Sequence, residues 1–149
     1  RHSPGEVIGD CLPLVQHLLN KADIEVARES RARRLILMNR TELQQVVVNL
    51  MVNALHAMPG SGTLTLIDED FDRNGKPGIR ISIRDTGTGM SSDILGRIFD
   101  PFYTTKRREG TGLGLSISKT LIDRQGGAMA VESEPGKGTL FTIWLPEAD

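Results

Sequence analysis

Three short segments in a fixed order constrain this chain more than any other feature. Asn49-Leu50-Met51-Val52-Asn53-Ala54 lies in a helical pattern, Asp85-Thr86-Gly87-Thr88-Gly89 ends an alternating run, and Gly110-Thr111-Gly112-Leu113-Gly114-Leu115 opens a second helical pattern. A glycine turn alone carries little, because such turns occur in many loops. An amide-bearing helix, a strand-terminal carboxylate and a glycine turn that starts a helix do separate jobs, and together they describe one pocket built from helices and strands.

The rest of the pattern fits such a fold. Leu12, Val15, Leu18 and Leu19 predict an amphipathic helix over Cys11 to Lys21 that covers a sheet. Ile24 with Val26 and the run Leu35-Ile36-Leu37-Met38 read as strands. Thr41-Glu42-Leu43-Gln44 has the form of a capping box opening a helix to Met58, which Pro59-Gly60 ends. Gly62 to Ile67 and Ile79 to Ile83 alternate with period two around the turn-like Asp72-Arg73-Asn74-Gly75. A short helix over Ser92 to Ile98, an irregular stretch from Phe99 to Glu109, a helix over Leu113 to Arg124, and strands at Ala128 to Val131 and Thr139 to Leu145 complete the reading. Helices and strands come in blocks, which predicts an α/β fold with helices layered on one face of a mixed sheet.

At 149 residues the chain fits one domain, a size that buries roughly 68–70% of its unfolded surface without a metal or disulfide staple. A net charge of -1 leaves no cationic excess to coat a phosphate backbone, so nucleic acid is not an expected partner. Cys11 is the only cysteine, which fits a reducing compartment and a plain packing role; Trp144 is likewise read as packing. No apolar run approaches the ~20 residues that span a bilayer. The expectation is a soluble, cytoplasmic domain without membrane contact. Because the sequence starts at Arg1 rather than Met, it reads as a piece of a longer parent that could itself be membrane-anchored.

Along the Thr41 to Met58 helix, Leu43, Val46, Val47, Leu50, Ala54 and Met58 form an apolar face. Glu42, Gln45, Asn49, Asn53 and His56 form a polar stripe. The bland reading is a solvated face. The stripe lacks Lys and Arg, however, and two Asn residues sit mid-helix, where their propensity is poor. An Asn carbonyl is a hard neutral oxygen suited to Mg²⁺, which takes most of its compensation from substrate phosphates; Asn53 is the candidate metal ligand. His56 is a candidate phosphate partner or an ordinary surface residue.

Asp85 shares strand parity with Ile79, Ile81 and Ile83, so it falls on the apolar face, where a carboxylate is costly unless hydrogen-bonded. Gly87 and Gly89 let the following backbone approach a planar ligand. An acceptor-only side chain there suits the exocyclic amino group that adenine has and guanine lacks at the matching position. The alternative is that Asp85 merely caps the turn. Gly110 to Gly114 runs into a helix start that would attract phosphate, yet it matches neither the dinucleotide fingerprint nor the Walker loop. Between the turns, Phe99 and Phe102 would anchor a lid whose Lys106 faces phosphates. For Lys106, Arg107 and Arg108 the alternative is a solvated loop cation.

The ordered set Asn49 to Ala54, Asp85 to Gly89, Phe99-Asp100-Pro101-Phe102, Gly110 to Leu115 and Gly138-Thr139 resembles the N, G1, F, G2 and G3 boxes of the catalytic ATP-binding domain of sensor histidine kinases. Pro101 to Lys106 before the glycine turn looks most like the nitrogen-regulation subfamily. The superfamily, which includes gyrase, heat-shock chaperone and mismatch-repair ATPases, implies a two-layer α/β sandwich, the Bergerat or GHKL fold. The resemblance implies ATP and Mg²⁺ as cofactors. Asn53 would hold the metal, and Asp85 would bind adenine N6 directly and through water. Gly87, Gly89 and Met90 would line the base with Thr139 nearby, and Gly112, Leu113, Gly114 and Leu115 would flank the phosphates. With Asn49, His56, Ala57, Thr105 and Lys106 these make up the candidate ATP-binding set.

The ATPase branches of that superfamily place a catalytic Glu where this chain has Asn49, so poor hydrolysis is expected and phosphoryl transfer to a protein acceptor makes more sense. That acceptor histidine would lie on a dimerisation hairpin outside residues 1–149, because neither His2 nor His17 has the sequence context of a phosphoacceptor. The implied partners are that hairpin of the same parent and a downstream response regulator, with the isolated chain a monomer that does not phosphorylate itself. A non-catalytic ATP-responsive module and a clamp-type ATPase are the alternatives.

Overall fold

A computed structural model describes residues 1–100 and 114–149. The expectations for Phe102, Thr105, Lys106, Arg107, Arg108, Gly112 and Leu113 lie outside the described residues.

Strand β3 (Gly78–Asp85) is the centre of the fold, because its alternation is the most strictly apolar: Ile79, Ile81 and Ile83 are buried and Arg84 is exposed. It pairs antiparallel with β2 (Ser61–Asp70) on one side and β5 (Gly138–Pro146) on the other, and β4 (Ala128–Glu134) pairs antiparallel with β5. β1 (Asp23–Ser30) joins β2 in parallel, giving one five-stranded mixed sheet in the order β1-β2-β3-β5-β4. A parallel pair needs a crossover between its strands. Helix α3 (Arg40–His56) lies in that crossover.

α3 packs Leu43, Val46, Val47, Leu50, Met51 and Ala54 into the same buried cluster as Leu64 and Leu66 of β2, Ile79, Ile81 and Ile83 of β3, and Ile143 and Leu145 of β5. Helices α1 (Pro4–Cys11) and α5 (Gly114–Arg124) flank it, while α2 (Gln16–Lys21) lies beside β1 and the one-turn α4 (Ser92–Leu95) beside β4. The opposite face carries Ser82, Arg84 and Thr142, so the architecture is the expected α/β fold in two layers. Trp144 breaks the pattern as a buried residue on that open face. Its indole Nε1 donates to the Phe71 carbonyl at 2.9 Å and Arg73 lies over its ring, so the β2–β3 turn is what covers it. That turn is of the hairpin type expected, with Asn74 and Gly75 at φ 52° and 79° and Arg73 bridging Lys76.

Several local expectations are corrected. The first helix begins at Pro4, not Cys11, and buries Val7, Ile8 and Cys11. At Pro13 the chain tightens into a 3₁₀ turn, Leu12–Val15, before α2, because proline has no amide to continue the ladder. Leu35 to Met38 is not a strand. Only Ile36 pairs, exchanging both backbone bonds with His2, while Leu37 stays exposed. The capping box at Thr41 is displaced as well: Asn39 is the cap, its side chain accepting from the Glu42 amide at 3.0 Å, and the helix already runs at Arg40. The packing reading of Cys11 holds, and burial pushes its thiol up to about 11.

Candidate nucleotide-binding site

Asp85 ends β3 on the helix-covered face and is only 5% exposed. Its Oδ1 accepts from the Gly87 amide at 2.9 Å and the Thr139 amide at 3.1 Å. The first of these bonds is the turn-capping role that the sequence offered as an alternative. Both bonds use one oxygen, however, which leaves Oδ2 without a hydrogen-bond partner among the described residues. Burial pushes the carboxyl above its ordinary range, and the Gly87 and Thr139 amides oppose that shift without cancelling it. A buried acceptor with a spare oxygen is what a ligand amino group requires.

The turn after Asp85 is wedged between the end of α3 and the β4–β5 connection. The Thr88 amide donates to the Ala57 carbonyl at 3.0 Å, and the Gly136 amide donates to the Thr88 carbonyl at 2.7 Å. Gly87 lies so close to Ala57 that a β-carbon would meet the Ala57 carbonyl. Gly89, at φ 72°, lies against the Glu134 carbonyl in the same way. These glycines are therefore contact positions as well as flexible ones. Beyond the turn the half-buried Met90 donates its amide to Ser133 Oγ at 2.8 Å. Ala57, Asp85, Gly87, Gly89, Met90 and Thr139 thus form one continuous wall.

The amide stripe of α3 borders this wall. Asn49 and Asn53, one turn apart, are both half-buried, as is His56. Asn49 Nδ2 donates to Ser118 Oγ of α5 at 3.2 Å, and a β-carbon on Gly114 would meet the Asn49 amide, so Asn49 joins α3 to the first turn of α5. Leu115 packs against the core and anchors that turn, while Gly114 is exposed at its start. Phe99 is half-buried against the same core.

Two residues of this region carry no signal in the sequence. Ser133 shares strand parity with Met129 and Val131, but nothing in the sequence marks the hydrogen bonds it makes to the turn after β3. Ser118 would emerge only from its i, i+4 relation to Gly114.

Comparison with known proteins bears on the family. Residues 38–149 match the family described as histidine kinase-, DNA gyrase B- and HSP90-like ATPase. The chain belongs to that ATPase family. Among its relatives, sensor histidine kinase ZraS of Salmonella typhi is 44% identical over 104 residues, covering 70% of this chain and 22% of ZraS. Sporulation kinase E of Bacillus subtilis is 45% identical over 105 residues, 70% of this chain and 14% of that protein. The chain therefore spans under a quarter of these kinases. As for solved structures, the nucleotide-free catalytic domain of histidine kinase ThkA superposes with a TM-score of 0.85 at 30% identity, covering 98% of this chain and 93% of that domain. Full-length ShkA in complex with AMPPNP gives 0.82 at 30% identity over 99% of this chain and 30% of ShkA. ThkA in complex with response regulator protein TrrA gives 0.79 at 28% identity over 97% of this chain and 40% of ThkA. The family and the fold, α/β with one mixed sheet, agree with the resemblance of the five boxes.

Proposed function

We propose that residues 1–149 are the catalytic ATP-binding domain of a sensor histidine kinase, and that they bind Mg-ATP and donate its γ-phosphoryl to a histidine outside this chain. The observation that carries the reading is buried Asp85, whose amide bonds both fall on Oδ1 and whose Oδ2 has no hydrogen-bond partner among the described residues, beside the close-packed Gly87 and the buried Thr139, at the base end of a wall whose other end is the Asn49–Asn53 stripe. The donor set fits the group. Asp85 would take the adenine amino group, Gly87, Gly89, Met90 and Ala57 would line the base, and Asn53 would hold Mg²⁺ with Asn49 and His56 nearby. Leu115 and Gly114 would flank the phosphates, with Thr105, Lys106, Gly112 and Leu113 completing the set.

When bound, Mg²⁺ would neutralise charge developing on the transferred phosphoryl group. The chain's own contribution is positioning. Asn49, where a hydrolytic enzyme of this superfamily would carry a carboxylate, is tied to Ser118, which favours protection of ATP from water over hydrolysis. The partners we propose are a phosphoacceptor hairpin of the same parent and a response regulator, the class of partner with which ThkA was crystallised. The isolated chain should be monomeric and cytoplasmic. Among the described residues no helix is long and apolar enough to cross a membrane. The nitrogen-regulation affiliation rests on Pro101 to Lys106 and is part of the proposal.

The test is calorimetric titration with a non-hydrolysable ATP analogue and Mg²⁺, alongside its GTP counterpart, followed by phosphotransfer to the parent's hairpin. Saturable adenine-selective binding and label on the hairpin histidine are expected. No binding by the folded chain would overturn the site, and binding without transfer would leave a nucleotide-responsive module instead of a kinase.

A further inference from the structure

A hydroxyl oxygen has one proton to donate and two lone pairs to accept with, and Ser133 Oγ uses all three. It accepts from the Met90 amide at 2.8 Å, donates to the Gly138 carbonyl at 3.0 Å, and lies 2.8 Å from Thr139 Oγ1. With its proton on the carbonyl and one lone pair on Met90, only an acceptor position remains for the third contact. The one proton assignment that makes all three contacts hydrogen bonds puts the Thr139 proton on Ser133. Thr139 is 6% exposed, and its amide is the one that donates to Asp85 Oδ1. In that arrangement the hydroxyl of Thr139 presents lone pairs to the wall, beside Asp85 Oδ2, which has no hydrogen-bond partner among the described residues.

We infer that Ser133 is a specificity-determining positioning residue: by consuming the Thr139 proton it makes this part of the wall a pair of acceptors that favours a 6-amino purine and repels a 6-oxo purine. The inference rests on the proposed ATP site. A 6-oxo group is itself an acceptor, so against fixed lone pairs it gains no hydrogen bond and loses its water. If Thr139 were free to rotate, its proton could turn toward that oxygen and the penalty would fall. Ser133 acts from behind the wall and need not touch the nucleotide.

The test titrates the full chain with the non-hydrolysable analogues of ATP and ITP in the presence of Mg²⁺ and reads the ratio of their affinities. Ser133→Ala is expected to narrow that ratio roughly fivefold, the worth of about one neutral hydrogen bond. Ser133→Thr, which keeps the hydroxyl, should restore it. A merely structural role through Met90 would weaken both analogues equally, so an unchanged ratio overturns the inference. Thr139→Val provides a second reading should Ser133→Ala not fold. It should narrow the ratio by itself and make Ser133→Ala silent on top of it, and an unchanged ratio in Thr139→Val is equally fatal. Failure of the wild-type chain to bind either analogue would instead overturn the proposed function and the inference with it.

Discussion

Asp85 shows a candidate functional side chain held at a cost to the fold. Because burial raises its carboxyl pKa in the folded state, the native chain holds that proton more tightly than the unfolded one. The favourable contribution is complete below the unfolded value and is lost as pH rises through the folded one. Above that folded value the ionised group opposes folding. Asp85→Asn keeps an oxygen for the Gly87 and Thr139 amides and removes the charge. We therefore expect its nucleotide-free form to melt above wild type once the pH is high enough to ionise Asp85, an advantage that shrinks as the pH falls and the carboxyl is protonated, while adenine-nucleotide binding is lost. Melting curves across that ionisation check the sign, and a lower melting temperature on its alkaline side would contradict it. The glycine turn allows a second prediction. Gly89 and Gly136 have similar backbone angles, φ 72° and 79°, but only Gly89 faces a neighbouring carbonyl; nothing lies within 4 Å of a β-carbon on Gly136. Gly136→Ala should cost about 1 kcal/mol from the positive φ. Gly89→Ala should cost at least twice that by denaturant titration, because backbone must move.

At the scale of elements, α3 supplies both the crossover between β1 and β2 and the amide stripe, so its N-terminal register decides where Asn49 and Asn53 point. That register is held by Asn39 through the Glu42 amide. Asn39→Ala should cost about 1 kcal/mol, the usual loss for a side-chain cap, whereas Thr41→Ala should be nearly neutral, as measured by the denaturation midpoint at constant m. The reverse ranking would restore the capping box read from Thr41 to Gln44. Two competing cap patterns only two residues apart cannot be separated by composition, since Asn and Thr both satisfy an end donor. What distinguishes them in the fold is that the Glu42 amide meets the Asn39 side chain. The run Leu35 to Met38 fails as a strand because its backbone contacts go to separate segments, the Ile36–His2 bridge and the Ala148 amide on the Leu35 carbonyl at 2.8 Å, and form no continuous ladder.

For the whole molecule, ligand and fold are coupled because the wall draws on the end of α3, the end of β3 and the start of β5. A nucleotide that binds only the folded chain stabilises it by mass action, about 2.7 kcal/mol at a hundredfold excess over Kd. We expect the adenine analogue with Mg²⁺ to raise the melting temperature by several degrees in wild type and not at all in Asp85→Asn. No shift in wild type would count against a site spread over these elements.

Much of the site was legible before the fold, because its parts are short-range. Parity along Ile79-Arg80-Ile81-Ser82-Ile83-Arg84-Asp85 put the carboxylate on the buried face, three- and four-residue spacing gathered Asn49, Asn53 and His56, and glycine clusters marked where backbone must come close. What sequence by itself determined was therefore the periodic content: which faces are apolar, where strands and the long helix lie, and which polar residues break those faces. Tertiary structure alone decided which groups meet across long separations. It paired Asn49 with Ser118, set Gly89 against Glu134, and closed the Asp85–Thr139–Ser133–Met90 chain of hydrogen bonds. The physical reason is that periodicity records only how a residue faces relative to its neighbours in sequence. A hydrogen bond between β4 and the turn after β3 depends on how three separately formed elements are packed.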